Sequence, residues 1–214
     1  MTYIKKTFLV SAVFLITGTT VSAATFTDTS VHLDLAQVTI KNIQSSGTGC
    51  PNGTVSSTVA PDGKSFVLGF DEYIAEAGPG IPRRENRKVC NLTVLLKIPN
   101  GFAFTIADVN YRGYADLDRN VEAMQKSTYF FAGNPREASL QSNFKGPISE
   151  DYTISDRLGI SSLVWSSCNA TTPVVIKTQI KVDNKYARRN SGLITTDTID
   201  GKLTHRYGLM FKKC

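Results

Sequence analysis

Apolar residues along this chain recur at every second position rather than every third or fourth. Val174, Ile176, Thr178, Ile180 and Val182 form one such row, and Leu203, His205, Tyr207, Leu209 and Phe211 form another. Phe102, Phe104 and Ile106 begin a third, and Val38 with Ile40 fit a short early one. A period of two, carried by β-branched and aromatic residues, predicts half-buried strands. No stretch beyond ten residues shows a sustained helical face, and Asp118–Ser127 is the best helical candidate. Turn signals punctuate the pattern. Pro61-Asp62-Gly63 predicts a hairpin joining Thr54–Ala60 to Ser65–Phe70, Asn100-Gly101 one joining Asn91–Ile98 to Phe102–Tyr111, and Asp200-Gly201 one joining Leu193–Ile199 to Leu203–Phe211. Asn-Gly and Asp-Gly suit the positive φ of tight turns that match strand twist. Many short strands with frequent turns predict an all-β fold, an antiparallel β-sandwich of jelly-roll or immunoglobulin-like type.

The first residues break this pattern. Lys5 and Lys6 precede the apolar run Phe8–Ile16, and Val21-Ser22-Ala23 supplies small residues before Ala24. These are the three parts of a secretory signal peptide, here residues 1–23, leaving one secreted domain over 24–214. The apolar run falls short of the ~20 residues that span a bilayer. The chain carries a net charge of +6, and the leader takes two lysines and no acid with it. That mild basicity suits loose attraction to anionic surfaces and is far from a nucleic-acid-binding tail. The expected location is extracellular, or periplasmic in a Gram-negative host.

Cys50, Cys90, Cys168 and Cys214 all follow the leader. An even number of cysteines in an exported chain predicts disulfides, and four allow three pairings. Cys50–Cys90 with Cys168–Cys214 is preferred, because each bridge then stays within one half of the chain. Each closes a loop of about 40 residues, worth about 4 kcal/mol in the chain-entropy account. No Cys-x-x-Cys spacing and only two histidines, His32 and His205, argue against a zinc site. No motif calls for a cofactor.

Candidate chemistry is sparse. There is no Gly-x-Ser-x-Gly elbow, and His205 alternates with Tyr207 and Leu209, which favours a structural role over a catalytic one. Glu72 and Glu76 share one face with Ile74 if their segment is extended, and two acids flanking a cleft are what glycoside hydrolysis needs. Asp116, Asp118 and Asn120 match the first ligand positions of a calcium loop, but Val121 stands where glycine is required and Ser127 where a bidentate glutamate belongs. Tyr111, Arg112 and Tyr114 are candidates for stacking on a sugar ring or holding an anion. In a strand Tyr111 faces away from the other two. Trp165 reads as a core residue near a disulfide, and Arg83-Arg84-Glu85-Asn86-Arg87-Lys88 as a solvated basic loop. Three N-glycosylation sequons begin at Asn52, Asn91 and Asn169. The leader reads as bacterial, so they are expected to be bare.

Several segments, in this order, resemble one known family. They are Gly47–Pro51, Phe70–Gly80, Lys88–Leu92, Asp108–Asp116, Gln125–Phe130, Leu163–Cys168, Thr195–Asp197 and the terminal Cys214. Together they resemble the secreted proteins of the domain of unknown function 4360 family, over roughly residues 40 to 214. The resemblance implies a small secreted protein with paired cysteines and carries no activity, ligand or catalytic residue.

These features lead to a secreted, non-catalytic β-sandwich that binds a glycan or another cell-surface component. The alternatives are an extracellular hydrolase using carboxylates such as Glu72 and Glu76, and a structural, envelope-associated protein. Nucleic acid is not an expected partner, and no transmembrane segment is expected after the leader. Because Cys214 closes the last predicted strand, deleting the final three residues should destabilise the domain by up to about 4 kcal/mol. Denaturant melts under oxidising conditions test this, and an unchanged midpoint would remove the proposed staple.

Overall fold

The structure, a computed structural model, describes residues 33–168, 173–196 and 205–214. The leader at 1–23, the Asn169 sequon and the Asp200-Gly201 turn lie outside the described residues. Among the described residues there are twelve strands: β1 Thr39–Ser46, β2 Val55–Val59, β3 Ser65–Phe70, β4 Ile74–Ala77, β5 Arg87–Lys97, β6 Phe102–Leu117, β7 Glu122–Phe131, β8 Ala138–Lys145, β9 Ile148–Arg157, β10 Val174–Asp183, β11 Gly192–Thr195 and β12 His205–Lys213. They form an antiparallel β-sandwich. One sheet has the order β1-β5-β10-β7-β8, and the other runs β2-β3-β12-β6, with β11 and β4 continuing beyond β6 and β9 also paired to β6.

β6 is the longest strand and organises the second sheet. Its residues 108–117 pair with β9. β12 pairs with Phe102–Tyr111 and β11 with Tyr114–Leu117. Because β9 already occupies one edge of β6, β11 and β12 follow one another along the opposite edge. The Pro61-Asp62-Gly63 turn joins β2 to β3 as a hairpin, with Val59 opposite Phe66.

Three sequence expectations differ from the structure, the first being the hairpin of Leu193–Ile199 with Leu203–Phe211: β11 and β12 do not pair with each other, because each pairs with β6. Asn100-Gly101 does not close a hairpin, because β5 lies in one sheet and β6 in the other. Ile98, Pro99 and Phe102 are all buried at this corner, so the chain turns through the rim of the core instead of folding back on itself. Asp118–Ser127 is not helical. A turn at Asp118–Val121, closed by the Val121 amide donating to the Asp118 carbonyl at 3.1 Å, leads directly into β7.

The interior mixes apolar side chains with buried tyrosines, Gln125, Thr178 and His205. Three hydroxyl bridges cross from one sheet to the other. Tyr73, between β3 and β4, meets Thr178 of β10 at 2.7 Å. Tyr111 of β6 meets Tyr129 of β7. Tyr152 of β9 lies 3.1 Å from the Gln125 amide oxygen of β7 and 2.8 Å from the Thr195 carbonyl. Gly113 makes room for the last bridge, since a Cβ there would stand 2.6 Å from the Tyr152 hydroxyl and 2.0 Å from the Thr195 carbonyl. Burial pushes the phenols of Tyr73, Tyr111 and Tyr152 far above the usual tyrosine range, so they stay protonated. His205 is fully buried among them, edge-on to Tyr111 and Phe70, with its Nδ1 3.1 Å from the Tyr207 hydroxyl.

Cys50–Cys90 and Cys168–Cys214 are the two disulfides. The first ties the segment after β1 to β5, in the first sheet. The second ties the end of β12 to the segment that covers the start of β6. That segment is fixed by Thr105 Oγ1 donating to the Val164 carbonyl at 2.6 Å and the Ser166 amide donating to the Phe104 carbonyl at 2.9 Å. β6 is therefore buried on both faces from Phe102 to Ala107. Trp165 is half-buried there, with the Lys212 ammonium 4.6 Å from its ring centroid.

Burial pushes the His205 imidazole down to about 3 from its ordinary 6.5. The folded state therefore excludes a proton that the unfolded chain accepts. Stability is complete above about pH 6.5 and falls as pH drops towards 3, at up to about 1.4 kcal/mol per pH unit. Between pH 6.5 and 5 the carboxylates held low, Glu85 and Asp183, contribute little, because their loss comes at more acidic pH. Urea melts over that window should slope for the native chain and flatten for His205→Gln. Equal slopes would assign the acid limb elsewhere.

Candidate functional site

The open face of the five-stranded sheet follows directly from the period-two pattern. In β10, Val174, Ile176, Thr178, Ile180 and Val182 point into the core, which leaves Val175, Lys177, Gln179, Lys181 and Asp183 outside. The same alternation turns outward Asn91 and the half-buried Thr93 of β5, Lys126 and the half-buried Thr128 and Phe130 of β7, and Ser139, Gln141 and Asn143 of β8. The register lines these up in rows across the strands. Ser46, Asn91, Lys177, Thr128 and Ser139 form one row, and Val89, Gln179, Lys126 and Gln141 form the next. Neighbours in such a row stand within side-chain reach.

The face is held in place by its own contacts. Arg87 Nε donates to the Gln179 oxygen at 2.8 Å, Gln141 Nε2 donates to Asn143 Oδ1 at 3.1 Å, and the Thr128 and Ser139 hydroxyls meet at 2.8 Å. The Lys177 ammonium sits 5.0 Å from the Phe130 ring centroid. Acid is confined to one corner, where Glu122 and Asp183 face each other. Burial raises the Asp183 carboxyl, but Lys181 at 3.0 Å and the Lys185 amide outweigh it and hold the group below its ordinary range. Two shallow grooves mark opposite corners. One, of about 480 Å³, is lined by Gln44, Ser46, Asn52, Asn91 and Thr93. The other, of about 360 Å³, is lined by Met124, Asn143, Lys145, Lys181 and Asp183. Amides, hydroxyls and lysines connect them. Of these residues Asn52 and Asn91 begin sequons, Arg87 belongs to the basic run and Lys126 lies within one family-like segment. The others were visible as the polar half of each alternation.

The residues singled out from the sequence lie mostly on the second sheet, and the structure does not gather them. Tyr111 points inward into the hydroxyl network and reaches no ligand at the surface, which corrects its place among the binding candidates. Arg112 and Tyr114 share the outer face. Arg112 is exposed opposite Thr153, and the half-buried Tyr114 meets Ser149 at 2.8 Å. Glu72 and Glu76 are separated by local geometry. Tyr73 is drawn wholly into the core, and the Ile74 amide donates to the Glu72 carbonyl at 3.1 Å, so the chain bends before β4 begins. Glu76 lines a shallow groove of about 220 Å³ with Asp116, Asp118 and Ser191, and Glu72 is not part of it.

The calcium-loop residues are accounted for by a turn. Asp118 Oδ2 accepts from the Ser191 amide at 2.7 Å, and Asn120 takes a left-handed φ of 63°. Among the described residues no three His, Cys, Asp or Glu side chains come together as a metal site. His205 is enclosed, and its surroundings are aromatic rings and a tyrosine hydroxyl, not a nucleophile. The basic run at Arg83–Lys88 is partly self-neutralised, with Glu85 held below its ordinary range by Lys88 at 2.6 Å and Arg84 at 2.9 Å.

A protein of Arthroderma benhamiae described as an uncharacterized secreted protein is 37% identical over 181 residues, covering 85% of this chain and 74% of its own. Two solved structures show weak similarity to this chain. TmCBM61 in complex with β-1,4-galactotriose has 12% identity and a TM-score of 0.26, over 81% of this chain and 90% of that one. The enzymatically active domain of bacteriophage CBA120 tailspike protein 4 has 13% identity and a TM-score of 0.28, over 83% of this chain and 20% of that one. Likeness of this size does not bear on ligand or activity. The family described as Domain of unknown function (DUF4360) matches residues 36–214, so the cysteine-stapled sandwich described above belongs to the DUF4360 family.

Proposed function

We propose that the chain is exported, loses its leader after Ala23, and works as a non-catalytic module that binds a glycan through the open face of the five-stranded sheet. One observation carries this reading: the sheet's outer rows interleave amides, hydroxyls and ammonium groups between two shallow grooves. An amide side chain offers a donor and an acceptor side by side, which matches the paired hydroxyls of a sugar ring. Serine and threonine hydroxyls do the same in either sense, and lysines add donors without fixed geometry. A shallow, hydrated face of this kind binds through many modest contacts, with water bridging where side chains fall short. The related secreted protein supports export. Among the described residues no helix is long and apolar enough to cross a membrane.

Lys126 of β7 and Gln141 of the edge strand β8 stand opposite one another, and both are exposed. The double variant Lys126→Ala, Gln141→Ala should keep the native melting temperature and weaken retention on the binding polysaccharide about tenfold, corresponding to two lost hydrogen bonds of roughly 0.7 kcal/mol each. Affinity electrophoresis through gels containing neutral and acidic polysaccharides at low salt measures this. Unretarded migration of the native protein in every gel would reject glycan binding.

A further inference from the structure

At one end of the sandwich the loop between β10 and β11 gathers a group of side chains that the sheet face does not use. Residues 184–191 fold into two successive turns, with the Ala187 amide donating to the Asn184 carbonyl at 2.9 Å and the Asn190 amide to the Ala187 carbonyl at 2.8 Å. The Asn184 side chain closes the loop by donating to the Asn190 carbonyl at 3.1 Å. Two further bonds fix it to the turn after β6. Asn190 Nδ2 donates to the Arg119 carbonyl at 2.7 Å, and the Ser191 amide donates to Asp118 Oδ2 at 2.7 Å. The backbone is thus ordered before any ligand arrives, which lowers the entropy lost on binding.

What this loop displays is unusual for the molecule. Tyr186 is 79% exposed, the most exposed large apolar side chain among the described residues, and the Lys185 ammonium lies 4.7 Å from its ring centroid. Arg188 and Arg189 are exposed, as is Arg119 on the adjoining turn. Among the described residues none of these three arginines pairs with a carboxylate, although the neighbouring lysines 181 and 185 share Asp183. Guanidinium forks match carboxylate and sulfate groups bidentately, and a free phenol ring is a stacking platform for a sugar face.

Acids border this cationic ridge on both sides. Glu76, Asp116 and Asp118 line the groove that includes Ser191, and Asp183 stands at the foot of the loop. A broad anionic surface such as a membrane would bring its charge against those carboxylates as well as the arginines. A narrow polyanionic strand can follow the ridge alone. We infer that the Lys185–Arg189 loop, together with Arg119, is a binding site for an acidic polysaccharide, with Tyr186 stacking on a ring and the arginines holding its carboxylate or sulfate groups. The loop adjoins a corner of the sheet face at Asp183 but uses other side chains, so this reading stands or falls independently of the first.

Titration calorimetry of the full chain with polygalacturonate and with dextran sulfate at low salt tests this site. Arg188→Ala with Arg189→Ala should weaken binding of at least one of the two at least tenfold. Tyr186→Ala should weaken it several-fold, while Tyr186→Phe retains it. The double variant Arg83→Ala, Arg84→Ala removes the same charge elsewhere and should leave affinity within twofold of native. Equal losses from both arginine pairs would mean diffuse charge attraction and overturn the assignment. So would native protein that ignores both polymers, or loop variants whose loss is confined to phosphatidylserine vesicles. The Lys126→Ala, Gln141→Ala variant should keep the loop-dependent part of the affinity, so failure of the sheet-face reading and failure of this one give different results.

Discussion

The fold depends on hydroxyl groups that reach across its own core. A purely apolar interface between two sheets tolerates sliding, because any close-packed arrangement of methyl groups gains similar energy. Hydroxyls do not allow this, since a buried one that loses its partner is left with an unmatched desolvation penalty of about 1–3 kcal/mol. Tyr73 to Thr178, Tyr111 to Tyr129 and Tyr152 to Gln125 each join the two sheets, running from the β3–β4 segment, β6 and β9 to β10 and β7. They fix the second sheet's position over the first, and with it the direction in which every outward row faces. The polar outer face of the first sheet is a consequence of that inner constraint: Thr178, Gln125 and Tyr129 point inward, so Gln179, Lys126 and Thr128 must point out.

The sequence showed some of this plainly and hid the rest for identifiable reasons. β10 was legible because its inward residues are almost all branched and apolar. β7 was not, because Gln125 and Ser127 occupy inward positions and erase the contrast on which the period depends. The polar core that orders the sandwich is therefore what concealed one of its strands. Asn100-Gly101 signalled a turn correctly, but a local turn carries no information about whether the flanking strands pair or part. That is decided by Ile98 and Phe102, which both seek the core at the rim.

The candidate residues divided along similar lines. Alternation correctly separated Tyr111 from Arg112 and Tyr114, since it requires only that the segment be a strand. Glu72 and Glu76 parted because Tyr73 is drawn into the core and bends the chain, a tertiary effect with no local signature. The ridge at Lys185–Arg189 has the composition of an ordinary solvated loop. Its interest lies in what holds it, namely Asn184, Asn190 and the turn at Asp118, and none of those contacts is visible from neighbouring residues alone.

β12 lies between β3 and β6, in the interior of its sheet, yet it follows all eleven other strands along the chain. As the polypeptide leaves the ribosome, β3 and β6 emerge before the strand that joins them. The second sheet cannot close until β12 arrives, and the sandwich cannot close before its sheet does. Folding of this domain is thus deferred until its last strand has been made. Any product truncated before β12 lacks an interior strand of its sheet and is left for proteolysis.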